Sequence, residues 1–520
     1  MRVRGRARGG PALAVAALLL ATAVLTGCDD GPAPPQSSKG SSKGSSAGAS
    51  GASSRAPDPS RPLDWKRCDA PEGGTAPGPA WRCATLDVPL DHARPDGKTI
   101  GIALIRKAAT RKSERLGSML FNFGGPGGSG VGILPRAAAS YKELNTRYDL
   151  VGFDPRGVAA SAGVRCRGDK EQETAYREID MTPDTPAEEA AFVEDGRDFG
   201  AGCERLSAAV LPHVGTVNAA RDMDAIRRAL GDEKLSYFGI SYGTELGGTY
   251  AHLFPETVGR VVLDAVVDPT ADSVGHARNQ ATGFQRALEN YLKDRGQDPA
   301  AGTRRIARLL ERIDQDPLPT SSGRELNESL AVTGIVAPLY SKSGWPTLTA
   351  ALDEAEDEGT GDGLLRLADS YNGRDEKGHY DTQSHSQRAI SCADAKARPT
   401  AAEARSLLPE FRELSPVFGP FLAWDTAGWC AGWPVEGEHD TPEASAPGAA
   451  PILVIGTTGD PATPYEGAQR MADELGEGVG VMLTNKGEGH GSYGESACVT
   501  SLVDAYFLDG KVPADGRTCS

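Results

Sequence analysis

Ser241 stands in Gly239-Ile240-Ser241-Tyr242-Gly243, between a strand-like run over 234–238 and a helix-like run over 244–254. A strand that turns this abruptly into a helix holds its serine in a strained conformation with Oγ in the open, and glycines two residues to either side let the backbones approach. That is the setting of a nucleophile. The pentapeptide alone fits a glycine-rich turn before a helix equally well, in a chain with 64 glycines, so the rest of the chemistry has to come from elsewhere.

A serine hydroxyl is a poor nucleophile near neutral pH until a base takes its proton, and that base needs an acid to orient it. On an elbow of this kind the acid and then the base follow in sequence, on loops at the carboxyl ends of late strands. Of eight histidines, His490 follows a strand-like run (481–483), in Gly487-Glu488-Gly489-His490-Gly491, and is the expected base. Asp460 follows the run 451–456, in Thr458-Gly459-Asp460-Pro461, and is the expected acid. Asp264 and Asp268, one strand earlier, are its rivals; their alternative reading is structural, a buried pair for Asp264 and a cap or turn before Pro269 for Asp268.

The oxyanion formed at an attacked carbonyl needs backbone donors, and residues 124–130, Gly-Gly-Pro-Gly-Gly-Ser-Gly, can offer an amide with no side chain in the way. Gly125 and Tyr242 are the expected donors. The same stretch satisfies the Gly-x-Gly-x-x-Gly dinucleotide pattern after a strand, but Pro126 deletes an amide where a pyrophosphate needs one, and no cofactor is expected. Asp154 and Arg156 read as a structural turn after a strand.

These residues require a scaffold that delivers them to one edge. Runs at 100–106, 118–123, 148–153, 234–238, 260–267, 451–456 and 480–483 read as strands, and Val217, Ala220, Met223, Ala225, Ile226 and Leu230 recur at helical spacing, closed by Gly231. Short apolar strands alternating with helices give an α/β fold with a mostly parallel sheet and helices on both faces. Between 270 and 449 the pattern changes to helices and long loops, which reads as a mainly helical lid inserted into a core made of 61–269 and 450–520. Trp424, Trp429 and Trp433 fall in it, either as lid core or as substrate contacts.

The N-terminus carries Arg2, Arg4, Arg6 and Arg8, then an apolar stretch over 11–25 and Leu25-Thr26-Gly27-Cys28. The stretch is too short for a spanning helix and reads as an export signal, 1–27, cut before a lipid-bearing Cys28. Residues 28–60, dominated by Ser, Gly, Ala and Pro, cannot build a core and form a flexible tether. The expected location is therefore the outer face of a bacterial membrane, held by the N-terminal lipid alone. A net charge of −16 argues against nucleic-acid partners. Besides Cys28 there are eight cysteines in four local couples, so the expected disulfides are Cys68–Cys83, Cys166–Cys203, Cys392–Cys430 and Cys498–Cys519. Neither Cys-x-x-Cys nor His-Glu-x-x-His occurs, and no metal site is expected.

Taken together, NFGGPGGSG (122–130), VGFDPRG (151–157), GISYGT (239–244), VLD (262–264) and DPATPY (460–465) resemble the tripeptidyl aminopeptidase branch of the α/β-hydrolases, which is related to the proline iminopeptidases. The resemblance runs from about Trp65 to the C-terminus. It implies an α/β-hydrolase fold with Ser241, Asp460 and His490 as nucleophile, acid and base. It also implies removal of short peptides from substrates whose free α-ammonium is held by acidic groups under the lid. Phe123 replaces the histidine of the iminopeptidase His-Gly-Gly-Pro-Gly-Gly motif, and Glu245 stands where an uncharged or aromatic residue is expected. Glu245 and Asp394 are candidates for the amine site, with a solvated surface role as the alternative; a monomer is expected. The competing functions are a carboxylester or amide hydrolase on the same triad and a surface-binding lipoprotein without turnover.

Overall fold

A computed structural model describes residues 63–70 and 75–520; the expected signal segment, Cys28 and the whole tether lie outside the described residues. Ten strands form one sheet. In chain order they are β1 (Lys66–Arg67), β2 (Trp81–Pro89), β3 (Thr99–Lys107), β4 (Gly117–Asn122), β5 (Tyr148–Phe153), β6 (Leu235–Ile240), β7 (Val258–Asp264), β8 (Ile452–Gly459), β9 (Gly480–Glu488) and β10 (Arg517–Cys519). They lie side by side as β1-β2-β3-β5-β4-β6-β7-β8-β9-β10. From β5 to β10 the pairing is parallel, and β1, β2 and β3 add antiparallel pairs at one edge. This is the α/β-hydrolase arrangement. The expected strands are present with shifted ends, whereas β1, β2 and β10 carry no signal strong enough to have been read from sequence.

The central strands carry short unbroken apolar runs, such as Met119–Phe121, Leu150–Val151 and Val261–Leu263, because helices cover both faces. Alternate residues serve opposite cores. Leu120, Tyr237, Val261 and Val454 face one, with Met223, Ile226, Leu246 and Met471 from the covering helices. Phe121, Phe238, Val262 and Leu453 face the other, with Leu134, Val503 and Phe507. Helix Thr216–Leu230 ends where Gly231 adopts φ 77°, as its spacing predicts.

Between β7 and β8 the chain builds helices and a two-residue-stranded hairpin around a separate core that includes Phe284, Ile306, Leu330, Ile335, Leu348 and Phe418. A second segment joins this insert. Helix Pro186–Ser207, from the β5–β6 connection, packs Phe192 edge-on against Trp424. Glu173 of the neighbouring helix Asp169–Glu178 pairs with Arg324 and Arg374 of the insert, each at 2.8 Å. Trp424 is thus lid core, 1% exposed. The four disulfides join Cys68–Cys83, Cys166–Cys203, Cys392–Cys430 and Cys498–Cys519.

Candidate active site

β6 ends at Ile240, helix Tyr242–Leu253 begins two residues later, and Ser241 between them has φ 57° and ψ −129°. A non-glycine residue at positive φ is strained and persists only when its surroundings fix it. Here the Ser241 amide donates to the Asp264 carbonyl (3.2 Å), and the Ser241 carbonyl accepts from the amide and the hydroxyl of Thr244, both at 2.7 Å. The flanking glycines are required by close approach: a Cβ on Gly239 would lie 2.3 Å from the Gly243 carbonyl oxygen, and one on Gly243 2.7 Å from that of Asn122.

Asp460 follows β8 and His490 follows β9, parallel neighbours in the sheet, so their loops leave the same edge side by side. His490 Nδ1 lies 2.9 and 3.1 Å from the two carboxylate oxygens of Asp460. Asp460 Oδ1 also accepts from the amides of Ala462 (3.0 Å) and Thr463 (2.9 Å), so the fully buried carboxylate is fixed before it meets the imidazole. With its proton on Nδ1, the ring presents Nε2 as the acceptor. Burial disfavours the charged ring, but the charge and hydrogen bond of Asp460, with Asp264 behind it, outweigh burial and hold His490 above its ordinary pKa. Thr463 Oγ1 stands 3.3 Å from the same nitrogen, a neighbour that no motif singled out.

The rival carboxylates have other partners. Asp264 accepts from the amides of Ser492 and Tyr493, both at 2.9 Å, and from the Ser492 hydroxyl at 3.1 Å, fastening the loop that carries His490. Asp268 is held by Arg470, by the amide and hydroxyl of Thr270 (3.0 and 2.8 Å) and by Asn279 (3.0 Å).

The glycine-rich loop lies directly on the elbow: a Cβ on Gly124 would fall 2.7 Å from that of Ser241 and 3.2 Å from the Tyr242 amide nitrogen. Asp154 braces the loop, accepting from the Ser129 hydroxyl (2.6 Å) and the amides of Val131 (3.1 Å) and Ala160 (3.2 Å). Arg156, fully buried, pairs with Asp222 through two bonds of 2.6 and 2.7 Å, consistent with a structural turn. The amides of Gly125 and Tyr242 have no acceptor among the described residues. On its other side the loop meets the insert. Gly127 packs against the backbone of Gln383 and Gln387, where a Cβ would approach to 2.6 and 2.9 Å, so a helix occupies the space beside the dinucleotide-like motif. The insert also reaches the His490 loop: the Tyr340 carbonyl accepts from the His490 amide at 2.8 Å, and the Tyr340 ring stands edge-on to the imidazole, 5.2 Å between centres.

The two carboxylates considered for a substrate amine are placed differently from one another. Asp394 is 5% exposed and both its oxygens are occupied by Thr216, Oδ1 by the amide (2.7 Å) and Oδ2 by the hydroxyl (2.6 Å). It is neither on the surface nor open to a ligand. Glu245, one turn beyond Ser241 and partly exposed, has a carboxylate without a hydrogen-bond partner among the described residues; burial, and then the nearby Asp394, push its pKa up to about 8. A third carboxylate, Asp425 on helix Gly419–Gly428, went unsignalled in the sequence. Its carboxylate also has no hydrogen-bond partner among the described residues, and burial pushes it up to about 6 against the opposing influence of Arg388. It lies near Tyr371, whose hydroxyl is 3.2 Å from that of Tyr340 and so leads back to His490. Elsewhere, Asp180, Asp314 and Glu328 bring carboxylate oxygens within 4.8 Å of one another, a grouping drawn from three elements that linear spacing does not reveal.

Residues 415–519 match the family model described as TAP-like protein. The chain is 37% identical over 489 residues to "Serine protease Hip1" of Mycobacterium tuberculosis, covering 89% of this chain and 92% of that one. It is 36% identical over 475 residues to "Carboxylesterase B" of the same organism, covering 88% and 89%. It is 33% identical over 479 residues to "Tripeptidyl aminopeptidase" of Streptomyces lividans, covering 88% and 86%. With its sheet order, its elbow serine and relatives aligned over nearly nine-tenths of its length, the chain belongs to the tripeptidyl aminopeptidase-like family of α/β-hydrolase serine hydrolases.

Proposed function

We propose that the protein is an extracytoplasmic, lipid-anchored serine aminopeptidase that releases short peptides, most characteristically tripeptides, from free N-termini. One observation supports this reading above the others. The Asp460–His490 pair and the strained Ser241 stand at the same edge of the sheet, and the insert touches both the His490 loop and the glycine loop that lies on the elbow. An insert packed against both of these loops restricts access to them and favours chain ends over mid-chain segments. In the proposed reaction Ser241 Oγ attacks the scissile carbonyl as its proton passes to His490 Nε2, and the oxyanion is met by the amides of Gly125 and Tyr242. The peptide C–N bond breaks as His490 returns the proton to the leaving amine. Water, deprotonated by the same imidazole, then releases the acyl group. Glu245 and Asp425, both without hydrogen-bond partners, are the carboxylates offered for the substrate's α-ammonium.

The test is a panel of aminoacyl, dipeptidyl and tripeptidyl chromogenic amides, with free and acetylated N-termini, assayed on the purified protein. Loss of the ammonium leaves the enzyme's carboxylate unpaired, so acetylation lowers kcat/KM on the best peptide about a hundredfold or more. Equal rates on free and blocked peptides would remove the aminopeptidase reading. They would promote an ester hydrolase, which the similarity to Carboxylesterase B keeps as the second reading. Anchoring at Cys28 is tested separately: wild type partitions with membranes and Cys28→Ala does not, whereas a wholly soluble wild type starting at another residue refutes it.

A further inference from the structure

Helix Gln383–Asp394 of the insert reaches both residues that carry the oxyanion amides, Gly125 directly through Gln387 and Tyr242 by way of Thr216. Gln387 Nε2 donates to the Gly125 carbonyl at 3.2 Å, beside the close packing of Gly127 on the backbone of Gln383 and Gln387. At the far end Asp394 takes the Thr216 hydroxyl at 2.6 Å, which leaves the Thr216 oxygen to accept from the Tyr242 phenol, also at 2.6 Å. With Asp394 ionised, the donor order is Tyr242 to Thr216 to Asp394. Thr216 and Tyr242 are 1% and 4% exposed, so the chain runs behind the elbow. The Cys392–Cys430 disulfide pins the helix two residues before Asp394.

We propose that this helix assembles the oxyanion hole, with Asp394, Thr216 and the Tyr242 phenol as positioning residues that set the Tyr242 amide while Gln387 fixes the Gly125–Pro126 peptide unit that directly follows the Gly125 amide. Seating of the insert and completion of the hole are then one event. An enzyme with the insert displaced keeps Ser241, His490 and Asp460 but stabilises the oxyanion poorly. Misplacement of a donor by a fraction of an ångström falls on the transition state, where the charge develops, and leaves ground-state binding untouched. Burial first, with Glu438 adding to it, pushes Asp394 up to about 7, and the contact between insert and core runs from Asp394 to Thr216.

The inference rests on Ser241 being the nucleophile, and the experiment separates the two. Tyr242→Phe, Thr216→Val and their double variant are compared on a good tripeptidyl amide, alongside Ser241→Ala. Each single variant is expected to lose about tenfold in kcat with KM unchanged, and the double variant no more than Thr216→Val alone, because both cut one chain. Inhibition by a peptidyl trifluoromethyl ketone, whose serine adduct places an oxyanion in the hole, weakens by the same factor, while product binding does not change. Thr216→Ser regains most of the kcat lost in Thr216→Val. Wild-type kcat and ketone affinity in Tyr242→Phe, or a loss confined to KM, overturns the proposal; Tyr242→Phe removes one terminal hydroxyl and carries the test should Thr216→Val fold poorly. Activity surviving in Ser241→Ala would sink the serine reading instead.

Discussion

Asp264 and Asp460 end neighbouring parallel strands, and replacing each in turn separates the group that holds the His490 loop from the group that orients its ring. Asp264→Ala removes the acceptor for the Ser492 and Tyr493 amides and the Ser492 hydroxyl. Each buried donor left without a partner costs about 1–3 kcal/mol, and part of that is offset because the buried carboxylate, whose pKa desolvation raises, is itself gone. A net loss of about 2–4 kcal/mol follows. It shows as a lower unfolding temperature, together with lower activity because His490 loses its anchorage. Asp460→Asn behaves oppositely. The amide oxygen still serves Ala462 and Thr463, so the fold survives, but the amide nitrogen faces His490 Nδ1 and forces the wrong tautomer, at a cost of about a thousandfold or more in kcat. The assays are thermal unfolding and kcat on a tripeptidyl amide. If Asp264→Asn is folded at the wild-type temperature and inactive while Asp460→Asn retains activity, the assignment of acid and anchor is reversed.

Because the base works as neutral imidazole and Asp460 holds its pKa above the usual 6.5, kcat/KM should rise with pH along a limb centred above 6.5; a midpoint below that value contradicts the pairing. Glu245 ionises near 4.5 in the unfolded chain and near 8 in the native one. The native state therefore holds an extra proton across that window, and stability present below about 4.5 is lost as pH rises towards 8. Glu245→Gln should flatten the dependence of unfolding temperature on pH between 5 and 8 and should be the more stable protein at pH 8; parallel curves for the two proteins would show that the carboxyl is not desolvated. Ser241→Ala and His490→Ala should each remove several orders of magnitude in kcat, and the double variant little more; additive losses would mean that they do not act as a unit.

The elbow was legible in the sequence because its requirements are local: a strand, a serine at positive φ, two glycines where backbones nearly touch, and a helix within a few residues. The buried parallel strands were legible for a similar reason, since strands covered on both faces hold consecutive rather than alternating apolar residues, and the cysteine couples sit within 15 to 38 residues of each other. Other features depended on distances between remote residues. Asp264, Asp268 and Asp460 all follow or end strands at one edge of the sheet, and sequence spacing left them as rivals; only the tertiary structure brings Asp460 to the imidazole and turns Asp264 to amides 228 and 229 residues away. Asp394 reads in sequence as an available carboxylate, yet Thr216, 178 residues distant, occupies both its oxygens. The helices between β5 and β6 likewise give no sign along the chain that they support the insert, because one amphipathic helix does not specify which of several apolar surfaces will cover it. A residue's type and near neighbours fix its conformation and which face it shows, but which charge or core it meets is settled by packing, where a shift of an ångström decides whether a carboxylate finds an imidazole, an amide or water.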